Sequence, residues 1–280
     1  MNNPDLDALI ALSLREDIGD GDHTSLACVP SGQAGKAQLL VKEPGILCGV
    51  NIAEKVFTAF DPQLQLDIHI ADGAVIRPGD IAFTLTGPAV SILQTERLAL
   101  NFMQRLSGIA TTTKRYVDLV AGTDTKILDT RKTTPGLRLL EKYAVKTGGG
   151  VNHRIGLYDM VMIKDNHIDY AGGVAAAITR VKEYLARTGR DLKIEVEARS
   201  LSEIEQILTA GGVFRILIDN FSPALTYEAV QLVGGRCETE SSGGITVETL
   251  REYALAGVDF ISVGALTHHI KSLDLSLKAI

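Results

Sequence analysis

The sequence predicts an α/β protein, with an N-terminal α+β domain followed by a parallel α/β barrel. Three observations carry that prediction. Short β-rich runs recur through the second half, and the last four begin 21 to 24 residues apart, room for one strand, one loop and one helix. Helical patterns with start signals fill the gaps between them. The first half lacks this rhythm and is punctuated by Pro-Gly and Asp-Gly turns.

In chain order, residues 34–50, AGKAQLLVKEPGILCGV, read as strands broken at a Pro-Gly turn. Residues 64–88, LQLDIHIADGAVIRPGDIAFTLTGP, repeat that pattern with turns at Asp72-Gly73 and Pro78-Gly79. The stretch PAVSILQTERLALNFMQRLSGIATTTKRYVDLVAG then reads as helices. The division is a first domain over residues 1–110 and a barrel domain over 111–266, with the tail, 267–280, returning to the first domain.

The barrel runs are KILDT (126–130), MVMIKD (160–165), KIEVEA (193–198), RILIDN (215–220), RCETES (236–241) and FISVGA (260–265). Ser200 and Glu203 make a capping box ahead of IEQIL. Ser222 is an N-cap followed by Pro223 at the first helical position. Thr246 precedes VETLREYALAG, which stops at Gly257. Six such units suit a small closed barrel, with an open doubly wound sheet as the alternative.

Each run turns polar at its C-terminal end, the end that carries the active site in an α/β barrel. In KIEVEA, Ile194 and Val196 alternate with Glu195 and Glu197, so both carboxylates share one face, which the barrel reading directs into its mouth. A solvent-facing edge strand is the competing reading, opposed by the apolar neighbouring runs.

Composition narrows the function classes. The chain has 28 Lys+Arg against 34 Asp+Glu, which argues against a broad nucleic-acid face. Cys28, Cys48 and Cys237 form no CxxC pair, as in a reduced cytoplasmic protein without a disulfide framework or a cysteine metal site. The acidic start MNNPDLDALIALSLREDIGD does not read as a signal peptide, and no apolar run reaches the length of a membrane span. The expectation is a soluble cytoplasmic protein.

Against this balance, residues 130–164 hold seven Lys/Arg and only Glu141 and Asp159 as acids. A local excess of cations points to a small anionic ligand. Gly148-Gly149-Gly150 either caps a helix or lets the chain turn so that His153 and Arg154 reach inward. Lys142 and Lys146 read as a solvated helix face and are left out of the site. SGGIT (242–246) follows a strand and opens a helix, and SVGALTH (262–268) repeats the arrangement. Paired glycine loops after the last two strands suit phosphate, although two ordinary turns would look the same. His268-His269 is a weak metal pair, His23 reads as a turn residue, and Asp17, Asp20 and Asp22 lack the closing Glu of a calcium loop. Asp165 and His167 either orient Lys164 or cap a turn.

DTRKTTPGLR (129–138), GGxxNHRxGLxDMVMIKDNH (148–167), IEVE, ILIDN, SSGGI and GVDFISVGALTH together resemble the quinolinate phosphoribosyltransferases, also called carboxylating nicotinate-nucleotide pyrophosphorylases. The likeness extends upstream through ERLALNFMQRLSGIAT (96–111) to EDIGDGD (16–22). A departure at GDHTS (21–25), where the family more often has a Thr-Thr pair, lies away from the charged window.

The resemblance implies an N-terminal α+β sandwich, a six-stranded barrel and a homodimer with shared active sites. It implies transfer of phosphoribosyl from phosphoribosyl pyrophosphate to quinolinate with Mg2+ and loss of carbon dioxide, a step of NAD biosynthesis. Arg131, His153, Arg154 and Lys164 match positions that hold quinolinate, and Arg105 matches an arginine donated by the neighbouring subunit. Lys132 and Arg138 match basic positions near pyrophosphate and substrate. Glu195 and Asp219 match acids on the ribose hydroxyls and Mg2+, and with Lys132 and Lys164 they form the expected catalytic set. Ser242, Gly243, Gly244, Gly264 and His268 lie in the expected 5′-phosphate loops. Two rival readings remain at this point. One is a Schiff-base barrel aldolase or synthase of phosphorylated sugars, built on Lys164 and Glu195. The other is an oxyanion-binding relative linked to molybdate.

Overall fold

The structure is a computed structural model that describes residues 4–280. The first elements are α1 (Pro4–Ile18), α2 (His23–Cys28), β1 (Ala34–Val41), β2 (Gly45–Ile46), α3 (Val50–Phe60), β3 (Gln65–Ile68), β4 (Val75–Ile76), β5 (Ile81–Pro88) and α4 (Ala89–Leu119). Then follow β6 (Lys126–Leu128), α5 (Arg138–Thr147), β7 (Val161–Ile163), α6 (Asp165–Ala171), α7 (Val174–Thr188), β8 (Ile194–Ala198) and α8 (Leu201–Ala210). The chain closes with β9 (Arg215–Asp219), α9 (Pro223–Val233), β10 (Glu238–Ser242), α10 (Leu250–Leu255), β11 (Phe260–Ser262), α11 (Ala265–His268) and β12 (Leu275–Ala279).

Cα proximity divides the chain into two units. The first takes the residues up to Lys114, Thr134–Gly149 and His269–Ile280; the second takes Arg115–Thr133 and Gly150–His268. Unlike the linear division expected from the sequence, α5 falls in the first unit although it lies between two barrel strands in the chain.

The first unit is built on an antiparallel sheet in the order β12-β1-β5-β3. Alternation along β1 buries Ala37, Leu39 and Val41, and Leu39 and Val41 pair with Leu277 and Leu275 of the chain's last strand. Helix α3 presents Ile52, Ala53, Val56 and Phe57 to this core, and the Phe57 ring meets Phe83 of β5 edge-on at 6.0 Å. Gly148 sits so close to α4 that a methyl group there would overlap the Ala110 carbonyl. The glycine triplet therefore begins as a packing and capping device.

In the second unit the sheet order is β6-β11-β10-β9-β8-β7, with every pairing parallel. Strands β7 to β11 are consecutive neighbours, and the first strand returns beside the last. That is the cyclic order of a barrel; a doubly wound sheet reverses its order at a switch point, and none occurs here. Val151 makes a parallel bridge to Leu128 on the other side of β6. The connecting helices start as their sequences require. Ser200 Oγ accepts the Glu203 N–H, and Ser222 Oγ accepts the Leu225 N–H with Pro223 next in line. Helix α10 starts only at Leu250, because Thr246 to Thr249 form a turn through their own hydroxyls.

Candidate active site

At the C-terminal ends of these strands lies a cavity of about 670 Å³ whose lining comes entirely from the second unit. One side is cationic: Arg131 and Lys132 after β6, Arg154 after the Val151 bridge, and Lys164 after β7. The next strands supply acids, Glu197 from β8, Asp219 from β9 and Glu240 from β10. Met162 and Leu217 add apolar surface between them.

Arg154 and Lys164 are aimed by local contacts. The Arg154 guanidinium donates to the Met160 carbonyl at 3.1 Å and rests on the Met162 sulfur at 3.6 Å. Burial first, and the neighbouring Arg131 charge second, lower its pKa. Two guanidinium groups are thus held where they repel one another, an arrangement that an anion between them would relieve. Lys164 Nζ stands 3.4 Å from the Glu197 carboxylate, while the Lys164 N–H donates to His167 Nδ1 at 2.9 Å. His167 therefore caps α6, and Asp165 accepts the Asn166 N–H.

The glycine loops meet the cavity too. Gly243 and Gly244 both have positive φ, 94° and 61°, and a methyl group on Gly243 would overlap Asn220. Asn220 is itself left-handed at φ 58°, unique among described non-glycine residues, and its amide donates to Asp219 at 2.6 Å. A methyl group on Gly264 would stand 3.1 Å from the Lys132 side chain and 3.0 Å from the His268 ring. Because α10 begins six residues beyond Gly244, the first loop offers an anion its backbone N–H groups rather than a helix end.

Beneath the cavity the barrel interior is charged. His153 Nε2 lies 3.0 Å from Glu195 and 3.4 Å from Glu240, and Glu240 also pairs with Arg215 at 2.9 Å. The His153 N–H donates to Asp129, and its Nδ1 accepts the Arg154 N–H at 2.6 Å. Burial alone would push the ring's pKa down; the two carboxylates prevail and hold it up to about 9. Burial first, and Glu240 second, also raise the pKa of Glu195, so the cluster shares its extra proton between ring and carboxyl. The three ligand atoms lie within 4.8 Å of one another. A metal would need the Nε2 lone pair, however, and the amide on Nδ1 keeps the ring's proton at Nε2.

Comparison with known proteins gives a consistent answer. A family model described as the quinolinate phosphoribosyl transferase C-terminal domain matches residues 109–278, and the corresponding N-terminal domain model matches 22–107. The chain belongs to the quinolinate phosphoribosyltransferase family. It is 46% identical to quinolinate phosphoribosyltransferase [decarboxylating] 1b of Nicotiana tabacum, over 98% of this chain and 82% of that protein. It is 42% identical to a probable nicotinate-nucleotide pyrophosphorylase [carboxylating] of Bacillus subtilis, over 99% of this chain and 94% of that one. The crystal structure of NadC from Streptococcus pyogenes superposes with a TM-score of 0.94 at 38% identity, covering 100% of this chain and 99% of that one.

Within this quinolinate phosphoribosyltransferase, Glu195, Arg105 and Arg138 of the expected site residues do not line the cavity. Glu195 does face the barrel interior, but one layer too deep; it is completely buried against His153, and Glu197, two residues on along the same face, reaches the cavity. Arg105, expected to serve the neighbouring subunit, lies in the first unit, its Nε donating to Glu141 at 2.9 Å and its Nη2 to Thr134 at 2.7 Å. Arg138 opens α5 in the first unit. Lys142 is not a solvated residue, being only 1% exposed. Sequence reasoning missed Glu240 and Asn220. Glu240 is the inward neighbour of Glu238 on β10, and an alternation like that of KIEVEA was its signal. Asn220, directly after the strand-end Asp219, left no signal of its conformation.

Proposed function

We propose that the cavity holds quinolinate and phosphoribosyl pyrophosphate side by side and joins them. The ring nitrogen takes the phosphoribosyl group, pyrophosphate leaves, and the 2-carboxylate departs as carbon dioxide, giving nicotinate mononucleotide for NAD biosynthesis. The observation that carries this reading is the juxtaposition of Arg131 and Arg154 beside Lys164, opposite Glu197 and Asp219. A dianion fits the first side, and a sugar carbon gaining positive charge fits the second.

The roles follow from charge. Arg131, Arg154 and Lys164 bind the two carboxylates, with arginine suited to bidentate pairing. Met162 and Leu217 offer apolar surface to a flat ring. Lys132 after β6, with Gly264 and His268 of one glycine loop and Ser242, Gly243 and Gly244 of the other, receive phosphate groups. As pyrophosphate leaves, positive charge grows at the anomeric carbon, where Glu197 and Asp219 stabilise it. The alkylated ring nitrogen then accepts the electron pair left when carbon dioxide departs, so the protein needs no covalent nucleophile. Mg2+ belongs to this reading. Asp219 and Glu197 offer the oxygen donors a hard cation requires, whereas Glu195 is engaged by His153. When bound, the ion neutralises charge on the departing pyrophosphate.

The reading includes a homodimer, supported by Leu157 and Tyr158, 71% and 67% exposed on the loop that follows Arg154. No described helix is long and apolar enough to cross a membrane. Cytoplasmic residence is supported by three free cysteines. The test is product analysis after incubation with quinolinate, phosphoribosyl pyrophosphate and Mg2+. Nicotinate mononucleotide is expected. A borohydride-trapped sugar phosphate on Lys164, with no nucleotide formed, would replace this reading with the aldolase.

A further inference from the structure

Barrel interiors are ordinarily filled by branched apolar side chains. This one carries Glu195, Arg215 and Glu240, each less than a tenth exposed. Arg215 links Glu240 to Glu238 at the base of β10, at 2.9 and 2.7 Å, and its guanidinium stacks 4.1 Å from the Phe260 ring centre. Such buried pairs are weak sources of stability, because desolvation offsets most of their attraction and apolar replacements are often tolerated. Stability therefore gives no sufficient reason for them.

The geometry supplies one. Glu195 and Glu240 converge on a single atom, Nε2 of His153. The other ring nitrogen accepts the main-chain N–H of Arg154, and the His153 N–H is fixed by Asp129. The ring is thus a spacer between the barrel's interior acids and the main chain that aims Arg154 into the cavity. Glu195 and Arg215 do not line that cavity.

We infer that Glu195 and Arg215 are positioning residues for quinolinate recognition: Glu195 directly, and Arg215 by anchoring Glu240, hold the His153 ring and through it the backbone at Arg154. The inference rests on the proposed binding of quinolinate at this site. Phosphoribosyl pyrophosphate, whose phosphates meet the glycine loops after β10 and β11, depends neither on Glu195 of β8 nor on the His153 ring.

The experiment is a double-mutant cycle with Glu195→Gln, His153→Gln and the double variant, reading quinolinate and phosphoribosyl pyrophosphate affinities by calorimetry. Wild-type protein that fails to bind quinolinate would sink the functional reading itself, whatever the variants do. With wild-type binding in hand, each single change should weaken quinolinate roughly 10- to 100-fold, the scale of a small misplacement of a binding group. The double variant should be no weaker than His153→Gln by more than about twofold, since the two residues act through one contact. Phosphoribosyl pyrophosphate affinity should stay within about threefold of wild type, the scatter allowed for uncoupled sites. Additive losses, or equal losses for both substrates, would overturn the inference. Glu195→Met, close in size and uncharged, serves as a second variant if Glu195→Gln does not fold. If neither accumulates as folded protein, the carboxylate is a folding requirement and the positioning role is overturned.

Discussion

The ammonium of Lys164 stands 3.4 Å from the Glu197 carboxylate, so the cationic and anionic sides of the cavity touch at their rim. Glu195, two residues earlier, lies wholly beneath the cavity floor. The two glutamates should therefore fail differently. Glu197→Gln should lower kcat roughly 10²- to 10³-fold, the scale for loss of one preorganised electrostatic group, with little change in quinolinate affinity. Steady-state kinetics beside calorimetry would separate the effects. A Glu197→Gln enzyme with wild-type kcat would remove this residue from the reaction.

Arg154→Ala should weaken quinolinate far more than phosphoribosyl pyrophosphate. Truncating one partner of a buried charge pair costs about 2–5 kcal/mol. Calorimetric titration of each substrate gives the comparison directly, and unchanged quinolinate affinity would contradict the assignment.

Asp219→Asn keeps the shape and the contact with Asn220 but removes the charge. At saturating Mg2+ and substrates, carbon dioxide release should slow roughly 10²- to 10³-fold. A rate within about twofold of wild type would make Asp219 only a strand-end cap.

Arg105 has a structural task in this chain. Glu141 is wholly buried and accepts from the Arg105 guanidinium and the Thr134 N–H. Arg105→Ala should destabilise the protein by about 3–5 kcal/mol, as when one member of a buried pair is removed. Urea unfolding measures this. Mixing Arg105→Ala with Lys164→Ala subunits tests the expected donation across subunits: recovered activity supports it, and no recovery despite proven subunit exchange contradicts it.

The His153 cluster makes a pH prediction. The extra proton that the ring shares with Glu195, held up to about 9 against an ordinary 6.5 for histidine, means stabilisation that is complete below about pH 6.5 and lost as pH rises through about 9. Relative to His153→Gln, wild type should lose stability across that window with a slope of at most about 1.4 kcal/mol per pH unit. Parallel stability curves for the two proteins would contradict the raised pKa.

Much of this was legible in the sequence because it is local. Ser200, Ser222 and the Pro-Gly turns act within a few residues, and the polar strand ends announced the cavity. The depth of Glu195 was not legible. Period-2 alternation assigns a face, but the layer a residue occupies depends on the stagger between strands, which pairs Glu195 with Met162 and Arg215. The partner of Arg105 was hidden for a similar reason, since Glu141 lies 36 residues away on another helix. Lys142 shows the limit of charge as a guide, because a lysine with one percent exposure looks the same in sequence as a solvated one.

The central claim is tested most directly with quinolinate carrying isotope in either the 2- or the 3-carboxylate. With phosphoribosyl pyrophosphate and Mg2+ present, the account predicts labelled carbon dioxide from the 2-carboxylate alone, in step with pyrophosphate and nicotinate mononucleotide. Release that needs no phosphoribosyl pyrophosphate, release from the 3-carboxylate, or no release at all would contradict it.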